Sequence, residues 1–260
     1  MAYANVNGTT LHYEDEGTGP ALLFLHGWGT SGRVWGAQLP EFVPDHRVVT
    51  VDWRGCGRSD RPAAGNDIDG VVADVVELIG TLGLDRPVVV GSSIGAVFAV
   101  ELAVRHPELI AGAVSVDGSA HWPLLDPAAV DLVDDLRTNR AGTLAGWVPG
   151  WFGPDASPLL ADWTIRQILD SGVFVDDQFH QALAHDPRPA LPGLRVPVHY
   201  IHGELSHTPV AISRECADLT PGGELRVIAG SGHMPHQEKP VAFNEALRGL
   251  LAAVRAGVPA

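Results

Sequence analysis

Six short, mainly apolar runs recur along the chain, with helical patterns between them. They are Ala21–Leu25, Val48–Val51, Val88–Val90, Ala113–Val116, Val198–Ile201 and Leu225–Ile228. Runs this short with little polar alternation suit strands covered on both faces. Between them, Val71, Val72, Val75, Val76, Ile79 and Leu82 recur at helical spacing. Ile94–Arg105, Pro209–Leu219 and Val241–Val254 also read as helices, the first ending near His106-Pro107. Strands alternating with helices predict a mainly parallel sheet with helices on both faces, an α/β fold. Residues 2–15 read as an opening hairpin, because Asn7-Gly8 supplies the two positive-φ residues of a tight turn.

One segment breaks the alternation. Residues 119–192 carry no strand pattern and only short helical pieces at Ala128–Arg137, Pro158–Leu169 and Asp176–Ala184. The spacing predicts a core of residues 1–118 and 193–260 with a helical lid of 119–192. Trp122, Trp147, Trp151 and Trp163 fall in that lid and are candidate substrate-binding residues. In open α/β sheets ligands bind at the carboxyl ends of the strands, where such an insertion would lie.

Composition narrows the partners. With 17 basic and 31 acidic residues the formal charge is −14, which argues against nucleic acid and anionic membrane. Cys56 and Cys216 form no metal-type spacing, and no basic-then-apolar leader precedes the first strand, so a reduced, cytoplasmic setting is expected. The histidine pairs 199/202 and 233/236 lack the accompanying ligands of a metal site, and no phosphate-binding glycine loop is present. The sequence therefore predicts neither a metal nor a cofactor.

Three motifs carry chemistry. Gly91-Ser92-Ser93-Ile94-Gly95 follows a buried run and opens a helix, the context in which G-x-S-x-G lifts a nucleophile above a sheet; Ser93 holds the central place. His26-Gly27-Trp28-Gly29 follows the Ala21–Leu25 run, so the Trp28 N–H can pair with the Ile94 N–H as an oxyanion hole. His26 itself reads as structural. Ser231-Gly232-His233-Met234-Pro235 follows the last run, and His233 is the candidate general base, with His236 directed elsewhere by Pro235.

Together with Asp52-Trp53-Arg54-Gly55-Cys56-Gly57-Arg58-Ser59-Asp60, these motifs make the whole chain resemble the α/β-hydrolase superfamily. The resemblance implies a Ser–His–acid triad, but the usual acid position after the penultimate strand is Ser206. Asp117, at the end of Ala113–Val116, is the candidate acid, as in relatives that carry theirs before the lid. Glu204 and a bare Ser93–His233 pair are the alternatives. The expectation is that Asp117 contacts His233 Nδ1 while Ser206 and Glu204 do not. A serine nucleophile implies acyl transfer, and the lid tryptophans imply a medium-sized hydrophobic ester or lactone. Two other functions fit the same residues. One is a cofactor-free ring-cleaving dioxygenase, against which stands Thr30 where those relatives have a second histidine. The other is a non-catalytic small-molecule receptor.

Overall fold

The computed structural model describes residues 2–118 and 127–257. The chain opens with β1 (Ala2–Val6) and β2 (Thr9–Glu16), paired antiparallel. Asn7 and Gly8 between them both have positive φ, 45° and 72°, which matches the right-handed twist of the strands they join. Then come β3 (Ala21–Leu25), β4 (Arg47–Asp52), β5 (Val88–Ser92), β6 (Gly112–Val116), β7 (Val198–Gly203) and β8 (Leu225–Ile228). The sheet order is β1-β2-β4-β3-β5-β6-β7-β8; β2 pairs antiparallel with β4, and every later pairing is parallel.

Period-two alternation splits the strand residues between two cores. Leu23, Leu25, Val49, Val89 and Tyr200 face a cluster that includes α2 (Ile68–Thr81), α3 (Ile94–Arg105) and α7 (Val210–Leu219). Leu22, Phe24, Val90, Val114 and Ile201 face Trp35, Phe42 and the apolar stripe of α9 (Pro240–Gly257). Both faces are covered, so the central strands need no polar alternation. β8 departs from the expected form. It is one of the two edge strands, pairs with β7 on one side, and leaves Arg226 and Val227 exposed.

Between β6 and β7 lie α4 (Pro127–Trp147), α5 (Pro158–Asp170) and α6 (Asp176–Ala184), with short 3-10 turns. Helix α4 is longer than the Ala128–Arg137 expected. Asn139 leaves helical geometry (φ −144°, ψ 56°), and its Oδ1 accepts from the Gly142 N–H, capping the second half. Helix α5 starts as its sequence suggests, with Ser157 as N-cap and Pro158 at the first position. The remaining elements are the one-turn helices α1 (Leu39–Phe42) and α8 (Pro235–Glu238).

Candidate active site

Ser93 sits between β5 and α3 with φ 54° and ψ −122°, a conformation that costs a non-glycine residue about 1–3 kcal/mol. The surroundings hold it there. Its N–H donates to Val116 O at 2.9 Å, and a side chain at Gly91 would collide with the backbone of Gly95. Gly95 in turn lies against the carbonyls of Leu25 and His26. The turn therefore fits only with glycine at positions 91 and 95, two residues to either side of Ser93. Ile94 is the first residue of α3, where helical N–H groups have no partner within the helix.

A small cavity of about 20 Å³, room for roughly one water, is lined by Ser93, His233, Gly27, Trp28, Thr30, Trp147, Trp151, His207 and Met234. Its aromatic wall is continuous. Trp28 lies 6.1 Å from Trp147, Trp147 4.9 Å from Trp151, and Trp151 5.9 Å from His233, centroid to centroid. Of the expected substrate-binding tryptophans, Trp147 and Trp151 border this cavity. Trp163 does not border it: it packs against the opposite core, with the Arg33 guanidinium 5.6 Å from its ring centre. Trp122 lies outside the described residues.

His233 is buried on the loop after β8 and its N–H donates to Trp151 O at 2.6 Å. Its Nδ1 lies 2.9 Å from Asp117 Oδ1. Burial pushes its pKa down to about 4, only partly opposed by Glu238, so the imidazole is neutral at neutral pH. Asp117 follows the last residue of β6 in a left-handed conformation (φ 46°) and is fully buried. Burial pushes its pKa up to about 6, against the pull of His202, the Gly203 N–H, the Ser206 hydroxyl and His207. Asp117 Oδ2 accepts from Gly203 N–H at 2.7 Å, and Oδ1 accepts from Ser206 Oγ at 2.7 Å. Glu204 points elsewhere and accepts from Gly230 N–H. Ser206 corrects the expectation: its Oγ lies 3.4 Å from His233 Nδ1, because the ends of β6 and β7 converge on one imidazole.

Other histidines have packing roles. His26 Nδ1 donates to Gly27 O, Nε2 accepts from Trp53 N–H, and burial lowers its pKa to about 4. His236 stacks on Trp35 at 4.3 Å. Sequence reasoning missed three neighbours of the site. His207, 4.6 Å from His233, has no local signature. His202 holds Nε2 3.6 Å from Asp117 Oδ1. Glu238 accepts from the N–H groups of Gly153, Gly232 and Met234, and so fastens the His233 loop to the helical insertion. Among the described residues no group of three or more His, Cys, Asp or Glu is placed to hold a metal ion, and no helix is long and apolar enough to cross a membrane.

The chain is similar to known proteins over most of its length. It is 31% identical over 264 residues to the bifunctional esterase/perhydrolase DCH of Acinetobacter calcoaceticus, spanning 92% of this chain and 95% of that protein. Its fold matches the enol-lactonase from Burkholderia xenovorans LB400 at TM-score 0.88 and 27% identity, over 96% of this chain and 100% of the other. It matches a bromoperoxidase from Bacillus anthracis at TM-score 0.90 and 25% identity, over 96% and 99%. The pattern of the alpha/beta hydrolase family runs through residues 22–246, and with the strand order and the Ser93 turn it shows that the chain belongs to that family.

Proposed function

We propose that this protein is a serine hydrolase that cleaves a hydrophobic carboxylic ester or lactone through an acyl-enzyme. The observation that carries the reading is the 2.9 Å contact of Asp117 Oδ1 with His233 Nδ1, with Ser93 and His233 on one cavity. In this reading Ser93 Oγ attacks the substrate carbonyl as His233 Nε2 takes its proton. The N–H groups of Trp28 and Ile94 receive the developing oxyanion, each such donor contributing roughly 10²–10³ in rate. His233 then protonates the leaving alkoxide, and a water activated by the same imidazole releases the acid. Asp117 fixes the Nδ1–H tautomer and stabilises the imidazolium. Residues 119–192 act as a lid, and Trp147 and Trp151 are its contribution to the substrate wall. The cavity as it stands has room for roughly one water, and in this reading the lid moves aside to admit an ester. The relatives that are an esterase/perhydrolase and an enol-lactonase support the substrate class.

Turnover of p-nitrophenyl esters by the wild type, with loss of at least 10³-fold in Ser93→Ala and a mass shift of one acyl group on Ser93 in rapidly quenched samples, is the expected result. Equal turnover in Ser93→Ala overturns it. One observation favours a second reading: His207 brings a second imidazole to the cavity, although from a different loop than in the cofactor-free dioxygenases. Oxygen uptake on a hydroxyquinolone, unaffected by Ser93→Ala, is the result that would select it.

A further inference from the structure

Asp117 is a carboxylate with no exposure to water, and its oxygens meet three donors from two stretches of chain. Gly203 N–H comes from the end of β7, Ser206 Oγ from the turn after it, and His233 Nδ1 from the loop after β8. The titratable groups facing it are His202 on β7, His207 beside Ser206, and His233. Glu204 accepts from Gly230 N–H, and Glu238 from the backbone around His233, so among the described residues neither of these carboxylates joins Asp117 at these donors. Ser206 is oriented for the task. Thr208 N–H donates to its Oγ at 3.2 Å, which leaves the hydroxyl proton directed at Asp117 Oδ1. A charged carboxylate buried this deeply needs such donors, because hydrogen bonds to the ionised form offset its desolvation.

We propose that Ser206 is a positioning residue of the site: its hydroxyl, held by the Thr208 N–H, keeps Asp117 ionised and aimed at His233 Nδ1. The inference rests on the hydrolase reading for its consequence in catalysis, but its geometry does not depend on any substrate. The residue at the place where the resemblance led us to expect the acid is thus the acid's support. The burial of Asp117 makes that support matter: without the hydroxyl, Oδ1 keeps, among the described residues, the His233 imidazole at 2.9 Å and the more distant His202 Nε2 at 3.6 Å.

The test compares Ser206→Ala, Ser206→Thr and Ser206→Val. Thr and Val have similar volume, and only Thr keeps the hydroxyl. The acidic limb of kcat/KM on a p-nitrophenyl ester should rise by about one pH unit in the Ala and Val variants and stay in place in the Thr variant. A structural role alone would change expression or melting temperature without moving the limb. The His233 Nδ1 proton, followed by NMR across the same pH range, reads the same titration without substrate. An unmoved NMR titration in both Ala and Val overturns the proposal. A moved titration in a protein whose ester turnover is indifferent to Ser93→Ala sustains the role of Ser206 and overturns the hydrolase reading instead.

Discussion

Asp117 and His233 have to be deprotonated together for the proposed chemistry. Burial drives them in opposite directions, the carboxyl up to about 6 and the imidazole down to about 4. Both required forms are the deprotonated ones, so kcat/KM should rise with pH through that window and then level off. The two groups share a hydrogen bond and titrate as a pair, so the limb should have an apparent midpoint between about 4 and about 6. A midpoint at 7 or above in a pH–rate profile would contradict this. Asp117→Asn should leave the circular dichroism spectrum native and lower kcat by roughly 10⁴, the loss typical when the orienting carboxylate of a triad is removed. Glu204→Gln, whose carboxylate accepts from Gly230 N–H, should change kcat by less than about threefold. Steady-state kinetics on these two variants separates the two acids.

At the scale of elements, the site is a meeting of the ends of β3, β5, β6 and β7 with the loop after β8. Because β6 and β7 are neighbours, a carboxylate leaving either one reaches the same imidazole. Ser206→Asp in an Asp117→Asn background should therefore recover at least about tenfold of the lost kcat, a direct check of strand-end equivalence. Ser206→Asp alone should be impaired at neutral pH, because two carboxyl groups in contact cannot both ionise readily. The loop bearing His233 depends on Glu238, and Glu238→Ala leaves three backbone N–H groups without that acceptor. Thermal unfolding should show a loss on the order of 1–3 kcal/mol. The strands and the nucleophile turn were legible because their signals are local: apolar runs, and small residues around Ser93. The exposure of β8 was not, since Leu225–Ile228 has the composition of a buried strand and only its place at the edge distinguishes it. His207 and Glu238 gave no sign, and Ser206 was legible only as the place where the usual acid is missing, because their roles arise where separate loops converge.

Over the whole molecule, the helical insertion is joined to the core by polar as well as apolar contacts. Arg140 of α4 donates to Asp176 of α6 at 2.5 Å and to Ile168 O and Ser171 Oγ of the α5 end, and its guanidinium lies 5.5 Å from the Trp28 ring centre. One side chain thus links three stretches of the insertion to the loop that carries a proposed oxyanion donor. Arg140→Met should cost on the order of 3 kcal/mol, and a double-mutant cycle with Asp176→Asn should show the two losses to be far from additive. The tryptophan count alone implied an apolar insertion, but it could not tell Trp147 and Trp151 on the cavity from Trp163 on the other core.

The bond from His233 N–H to Trp151 O has a consequence for how this enzyme family can be recombined. Ser93 and Asp117 both precede the insertion and are held by strand ends, whereas His233 is gripped by a carbonyl that belongs to it. Replacing the segment between β6 and β7 with a relative's would leave the proposed nucleophile and acid seated and would remove one hold on the proposed base. Chimeras made to alter substrate choice should accordingly show their first defect in proton transfer, and grafts whose backbone places a carbonyl within hydrogen-bond reach of the His233 N–H should be the ones that turn over.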